Sequence, residues 1–472
     1  MFFNEDSDTI CALSTPPGIG GISVVRISGQ QAYTIVKSLC PWLADTFDTH
    51  TLRFGTFYSS SGAEIDHVLL SLFKKGKSFT GEETVEISCH GSPIIVSQIL
   101  EALASAGARF AKPGEFTYRA FNNGNLDLIQ AESIIGIIHS NSKKAASQAL
   151  RQLSGDLSKQ ISIIENELIS CLAHIEASID FSTEGLDILS DGKILSKLKS
   201  ISESINKLVS GYRSGRVIKD GLKVVLSGRP NVGKSSLLNL LLGEDKAIVT
   251  ELAGTTRDLV EGALFVDGIK VNLIDTAGIR DSLDKVEKLG IQKSLIVRAE
   301  SDVVIYVIDG LCGFTDEDDE QLRSLDTEQL IILVNKLDLM TESQSQVILN
   351  QIKSSNFFNT KSLKSNFLNE RVLLVSALDK RSIDSISKLV MSVVRASGFQ
   401  DDSLISQARH YEGLVKSLNL IQSSIEGLNS NAGVEYIAFD LKEALIHLQG
   451  VMGKVFDDQI MDRVFKEFCI GK

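Results

Sequence analysis

Over the first 120 residues the apolar side chains come in short runs, at 22–27, 68–73 and 84–89, separated by turn-rich stretches such as Ser59-Ser60-Ser61-Gly62. Runs of that length between turn formers predict strands, so residues 1–120 read as one compact mixed α/β domain. After Leu126 the period changes. Leu157, Ile161, Ile164, Leu168, Leu172, Ile175 and Ile179 recur every three or four positions and lay a single apolar stripe along a helix. The same spacing returns at Tyr411, Leu414, Leu418, Ile421, Ile425 and Leu428, and again at Ile437, Leu441, Ala444 and Leu448. Proline would interrupt such helices, and after Pro113 it occurs only at Pro230. Two striped segments flanking a different pattern must bury their stripes, and packing them on each other is the economical arrangement. The expected order is an N-terminal domain at 1–120, helical segments at 121–220 and 397–472 that form one discontinuous domain, and an α/β domain inserted at 221–396.

Length supports the division, since 472 residues exceed what one hydrophobic core organises and suggest about three folding units. With 43% hydrophobic and 23% charged residues the composition is that of an ordinary globular protein, and no run approaches the ~18 apolar residues of a membrane span. Met1-Phe2-Phe3-Asn4-Glu5-Asp6 lacks the basic start of a secretory signal, so a cytoplasmic location is expected. Cys11, Cys40, Cys89, Cys171, Cys312 and Cys469 form no CxxC pair, which argues against a disulfide framework or a zinc site and leaves most of them as small core residues. A net charge of −12 opposes a chain-wide grip on nucleic acid, so any RNA contact must be local or shared with a partner. The acidic run Asp316-Glu317-Asp318-Asp319-Glu320 reads as a solvated helix start or loop.

The chemistry concentrates in the inserted segment. A short apolar run at 224–226 leads into Gly228-Arg229-Pro230-Asn231-Val232-Gly233-Lys234-Ser235, which fits GxxxxGK[ST], and helix-forming residues from Ser236 follow. Glycines let backbone N–H groups close around phosphate oxygens, and the helix start turns its positive end toward the anion. Lys234 would reach the β- and γ-phosphates and Ser235 would hold Mg²⁺. Gly254-Thr255-Thr256-Arg257-Asp258 falls where a switch loop should lie, with Thr256 able to complete the Mg²⁺ shell. Asp275-Thr276-Ala277-Gly278 ends a strand-like run, placing Asp275 toward the metal and the Gly278 N–H toward the γ-phosphate. Asn335-Lys336-Leu337-Asp338 ends another. A carboxylate at Asp338 accepts from both N1–H and the 2-amino group of guanine, which adenine cannot match, so GTP is the expected nucleotide. Ser376-Ala377-Leu378 is the weakest element, because many strand-to-helix connections look like it. After the DTAG-like string stands Ile279 rather than a water-orienting glutamine, so a polar group for hydrolysis must come from elsewhere, with Asp281, Asp284 and Glu287 nearby. Asn231 offers a side-chain oxygen for a cation at the loop.

From end to end the chain resembles the MnmE (TrmE) tRNA-modification GTPase family. The strings that carry the resemblance are Asp8-Thr9-Ile10, Thr15-Pro16-Pro17-Gly18, Val25-Arg26-Ile27-Ser28-Gly29, Ser78-Phe79-Thr80-Gly81-Glu82, Pro113-Gly114-Glu115-Phe116, Leu126-Asp127-Leu128, the 254–258 switch and the terminal Phe468-Cys469-Ile470-Gly471-Lys472. The resemblance implies an N-terminal folate-binding, dimerising α+β domain, a helical domain and an inserted Ras-like P-loop domain. It implies a cytoplasmic homodimer that works with the flavoprotein MnmG (GidA) to add a carboxymethylaminomethyl-type group to carbon 5 of the wobble uridine of certain tRNAs, drawing a one-carbon unit from a 5-formyl- or 5,10-methylene-type tetrahydrofolate. Carried onto this sequence, it puts Asn231, Thr250, Leu252 and Thr255 around K⁺, and Ser235 and Thr256 on Mg²⁺. GTP contacts would come from Asn231, Val232, Gly233, Lys234, Ser235 and Ser236, from Thr250, Glu251, Leu252, Ala253, Gly254, Thr255 and Thr256, from Asp275, Thr276, Ala277 and Gly278, and from Asn335, Lys336, Asp338, Ser376 and Ala377. Glu287 becomes the water-orienting carboxylate and Cys469 a participant in the modification chemistry. Folate contacts fall on Arg26, Glu86, Asn125 and Lys472, with Asn125 standing where the family commonly carries a lysine. Without the resemblance, Arg26 and Glu86 would be strand residues on a solvent face. The rival functional class is a GTPase switch in ribosome assembly, which the P-loop motifs alone do not exclude and which does not require the N- and C-terminal strings.

Overall fold

The structure is a computed structural model that describes residues 8–180, 192–243, 262–275, 301–326, 329–361, 367–430, 433–455, 458–466, 468 and 470–472. Their contacts divide into two compact units, Met1–His139 with Ala149–Ile205 and Glu412–Lys472, and Ser140–Gln148 with Asn206–Tyr411.

In the first unit six strands, β1 (Ile10–Leu13), β2 (Gly20–Ser28), β3 (Thr51–Tyr58), β4 (Glu64–Phe73), β5 (Thr84–Gly91) and β6 (Arg109–Phe110), form a sheet in the order β3-β4-β5-β2-β1-β6. The three runs expected as strands lie within β2, β4 and β5. Pairing is antiparallel except between β1 and β6. Alternation decides the faces: Val25, Ile27, Val68, Leu70, Leu72, Val85 and Ile87 join the core with residues of the helices Ala32–Leu39 and Pro93–Ser105. The intervening residues, Arg26 and Glu86 among them, therefore stand on the other face. Cys11, Cys40 and Cys89 are buried in this core, and burial pushes the Cys40 thiol up to about 12, as suits a small apolar-like residue.

Also in the first unit, the helix Asp156–Asp180 packs along the helix Val434–Met452. Their buried stripes, Leu157, Ile161, Leu168 and Ile175 on one and Ile437, Leu441, Ala444 and Leu448 on the other, are those read from the sequence. Glu165 is buried on this seam and accepts hydrogen bonds from Gln449 Nε2 at 3.0 Å and Lys454 Nζ at 2.5 Å. Sequence on both sides of the insertion thus builds one helical domain. The C-terminal Phe465 and Phe468 close a small cluster with Leu128, Ala131, Tyr118 and Phe121.

The second unit holds a sheet of β7 (Leu222–Ser227), β8 (Gly262–Val266), β9 (Ile269–Asp275), β10 (Val303–Asp309), β11 (Leu330–Asn335) and β12 (Val372–Leu374) in the order β12-β11-β10-β7-β9-β8. All pairs are parallel except the edge strand β8. Along β10, Val303, Ile305 and Val307 enter one core while Val304, Tyr306 and Ile308 enter another on the opposite face. Both faces are covered, which is why these strands read as continuous apolar runs. The chain reaches and leaves the sheet side by side: Ser403 Oγ donates to the Gly211 carbonyl at 2.6 Å and the Gln400 N–H to Ser214 Oγ at 2.9 Å. Among the described residues no helix is long and apolar enough to cross a membrane.

Candidate functional site

In an open parallel sheet, ligands gather beyond the strand ends where connections diverge to either side. Strand β7 lies between β9 and β10, and the loop that follows it is Gly228–Gly233. Two glycines are dictated by geometry. Gly228 has φ +136° and a Cβ there would sit 2.3 Å from the Val307 carbonyl oxygen; Gly233 has φ +96° and its Cβ would meet Asn335 Nδ2 at 2.3 Å. Between them Asn231 takes φ +61°, a conformation that asparagine tolerates better than most residues. The helix Lys234–Leu242 begins at once, so its unpaired N–H groups face the loop. Lys234 is buried, its ammonium donating to the carbonyls of Gly228 at 3.0 Å and Arg229 at 2.7 Å. Exposed Ser235 donates from Oγ to Asp275 Oδ2 at 3.2 Å, which register places opposite Leu226 on the adjoining strand. A hydroxyl and a carboxylate side by side form an oxygen donor set of the kind a hard divalent cation such as Mg²⁺ prefers.

The other strand ends close on the same loop. Asn335, the last residue of β11, donates from Nδ2 to the Val232 carbonyl at 3.0 Å and accepts at Oδ1 from the Ala377 N–H at 3.1 Å. Asp338 lies exposed on the turn Leu337–Leu339, its Oδ1 accepting from Ser376 Oγ at 2.5 Å. Lys336, at φ +70°, donates to Asp309 Oδ2 at 2.6 Å. Burial alone would raise the Asp309 carboxyl, but the Lys336 ammonium and the N–H groups of Leu311 and Cys312 outweigh it and hold it below the ordinary carboxylate range. Asn231, Val232, Gly233, Lys234, Ser235, Ser236, Asp275, Asn335, Lys336, Asp338, Ser376 and Ala377 are thus brought together around the ends of β7, β9, β11 and β12. Thr250, Glu251, Leu252, Ala253, Gly254, Thr255, Thr256, Thr276, Ala277, Gly278, Ile279, Asp281, Asp284 and Glu287 lie outside the described residues.

The acidic run is not wholly solvated as expected. Thr315 caps the helix Asp316–Arg323 in a capping box that recruits Asp318 at its third position, which turns Asp318 and Asp319 inward. Asp318 is fully buried and accepts at Oδ1 from Arg229 Nε and Tyr306 OH, each at 3.0 Å. The sequence motifs contain Arg229 and Asp318 without linking them and leave Tyr306 unmarked; a threonine three residues ahead of an aspartate is the available signal.

A second set of candidates lies in the first unit. Arg26 donates from Nε and Nη2 to Glu86 Oε1 at 3.0 and 2.8 Å, and its guanidinium lies 5.6 Å from the Phe79 ring centroid and 5.5 Å from that of Phe116. The pair is only 14% and 29% exposed, so it is a partly sheltered ion pair rather than two solvated strand residues. Asn125 donates from Nδ2 to the carbonyls of Ser78 and Phe79 at 3.2 and 3.1 Å, fixing the loop that bears that ring. A flat guanidinium, a carboxylate and a half-exposed phenyl ring suit a polar heterocycle such as a pterin. Gly471 lies against the β1–β2 turn, where a Cβ would meet the Leu13 carbonyl at 2.0 Å, and its own carbonyl accepts from Ser14 Oγ at 3.2 Å. This seats Lys472 beside the hairpin that carries Arg26. Cys469 lies outside the described residues; its neighbours are the buried Phe468 and the exposed Ile470.

Family models match twice, the N-terminus of the GTP-binding protein TrmE over residues 9–125 and the MnmE helical domain over residues 128–469. The chain is 48% identical over 472 residues to the tRNA modification GTPase MnmE of Bdellovibrio bacteriovorus, covering 99% of this chain and 98% of that one. To the tRNA modification GTPase MnmE of Moorella thermoacetica it is 39% identical over 474 residues, covering 98% and 99%. The G-domain of FeoB from Methanococcus jannaschii overlaps with 23% identity and a TM-score of 0.25, covering 37% of this chain and 98% of that one. A parallel sheet with a phosphate-loop sequence at its strand ends, inserted in sequence between the two segments of a helical domain that follows an N-terminal α+β domain, defines a P-loop GTPase-like protein of composite architecture. The chain belongs to the MnmE family of tRNA modification GTPases.

Proposed function

We propose that this protein binds and hydrolyses GTP at the strand-end cluster and couples that turnover to the addition of a carboxymethylaminomethyl-type group at carbon 5 of the wobble uridine of certain tRNAs. The observation that carries the reading is the meeting of the 228–235 loop, Asp275, Asn335, Asp338 and the Ser376-Ala377 pair at one end of one sheet. In that role Lys234, held by its two carbonyl acceptors, turns its remaining N–H to the phosphates, Ser235 and Asp275 support Mg²⁺, and Asp338 reads guanine. Thr256 completes the Mg²⁺ shell, Asn231, Thr250, Leu252 and Thr255 hold K⁺, and Glu287 orients the attacking water. The Arg26, Glu86, Asn125 and Lys472 group holds a tetrahydrofolate derivative as the one-carbon donor, and Cys469 takes part in the modification. The protein acts in the cytoplasm as a homodimer with the flavoprotein MnmG, which fits a net charge of −12 that leaves RNA binding shared with a partner. The domain divisions at about residues 120, 220 and 396 belong to the same proposal. Nucleoside analysis of tRNA from cells lacking the protein is the test. Loss of the modified wobble uridine is the expected result; intact modification with defective ribosome assembly would replace this reading by that of a GTPase switch.

A further inference from the structure

We propose that Arg229, held by the buried Asp318 and Tyr306, is a positioning residue that sets the phosphate loop and its lysine for nucleotide binding. The inference rests on the GTP-site reading above. Arg229 has two working ends. Its backbone carbonyl accepts from Lys234 Nζ at 2.7 Å, so wherever this residue sits the lysine follows. Its guanidinium leaves the loop and donates from Nε to Asp318 Oδ1 at 3.0 Å, an oxygen that also receives the Tyr306 hydroxyl at 3.0 Å. The other Asp318 oxygen is taken by the N–H and hydroxyl of Thr315 at 3.0 and 2.8 Å, which fixes the carboxylate to the start of the helix Asp316–Arg323. Tyr306 belongs to β10, the strand beside β7, and its ring is fully buried. The first turn of the loop is therefore tied through one carboxylate to a strand and a helix that it does not otherwise touch in sequence.

This arrangement is a poor way to gain stability. Asp318 is completely buried, and Arg229 Nη2 is buried with no hydrogen-bond partner among the described residues. Buried ion pairs with unmatched donors lose on desolvation much of what they gain by attraction, so their worth is more often in fixing one geometry. Here the geometry fixed is that of the carbonyl that holds Lys234. An alanine at 229 would keep that carbonyl but free its position, and the loss should appear in phosphate binding while guanine reading at Asp338 is untouched.

The experiment is a binding cycle on the full chain with Mg²⁺ and non-hydrolysable analogues of GTP and xanthosine triphosphate, using Arg229→Ala, Tyr306→Phe and the double variant, with thermal unfolding of each. Tyr306→Phe keeps the ring and removes only the hydroxyl, so it decides the matter even if Arg229→Ala fails to fold. Each single variant should weaken binding, Arg229→Ala by about tenfold and Tyr306→Phe by roughly threefold or more. Discrimination of guanine from xanthine should stay at the wild-type ratio, and the double variant should be no weaker than Arg229→Ala alone because both act through Asp318. Wild-type affinity in Tyr306→Phe, losses that multiply in the double variant, or a changed guanine-to-xanthine ratio would each overturn the proposal with the GTP site intact. Failure of the unmutated protein to bind the analogue would instead remove the reading beneath it.

Discussion

In the N-terminal sheet Val68, Leu70 and Leu72 face the helices while Leu69 and Arg26 stand on the other side; in the inserted sheet every residue from Val303 to Asp309 is buried. The half-covered sheet can therefore carry polar groups on its face, and that is where Arg26 pairs with Glu86. The fully covered sheet has no face to spare, so its chemistry is confined to strand ends and the loops beyond them. One candidate site rests on side chains projecting from a stable surface, the other on backbone forced into special shapes. The two should respond differently to substitution.

Gly228→Ala should have the largest effect, since it combines a left-handed φ with a Cβ driven into the Val307 carbonyl. A loss of at least about 3 kcal/mol in urea unfolding is expected, together with loss of GTP binding; a variant within 0.5 kcal/mol of the parent, on the order of ordinary surface changes, would erase the distinction between the sheets. Asp338→Asn comes next. It alters a side chain at the rim without touching backbone, so stability should hold while preference moves from GTP toward xanthosine triphosphate by roughly 10- to 100-fold, read by competition binding. Arg26→Ala should change stability by no more than about 1 kcal/mol, because its partner keeps access to water, yet binding of a tetrahydrofolate should fall at least about tenfold in calorimetry. Substantial unfolding would show that the face is structural after all. The smallest effect is on acid sensitivity. The Asp309 carboxyl is held below its ordinary value of 3.8, so the stability it contributes is present above that pH and lost as the pH falls through its lower folded value. Lys336→Met should flatten that part of the acid unfolding curve by about 1 kcal/mol or less.

The same contrast explains what could be read in advance. Continuous runs such as 331–334 and the strict stripe from Leu157 to Ile179 reflect burial on one pattern over many residues, and both elements are found where expected. Strands β1, β3, β6, β8 and β10 are not among the runs read from the sequence: β1 and β6 have only four and two residues and β3 places Leu52 and Phe54 in solvent, whereas β10 is a continuous apolar run that no adjoining motif singles out. The phosphate loop was legible because glycine is required by its conformation. The Asn335 bridge from Val232 to Ala377 was not, since it joins positions more than 40 and 100 residues apart. Nor was the inward turn of Asp318, where a local cap overrode the tendency of an acidic run to stay in water.

The seam between the helices Asp156–Asp180 and Val434–Met452 has a consequence for how the protein is made. The first helix leaves the ribosome more than 250 residues before its partner, an interval of about 10–50 s at ordinary elongation rates. During that time the inserted sheet, whose strands all lie between residues 222 and 374, can complete itself while the stripe of Leu157, Ile161 and Leu168 still lacks its cover. The nucleotide domain should thus be the earlier-born structure, and the helical domain that surrounds it in sequence the one most exposed to chaperones and proteases until the final stretch emerges.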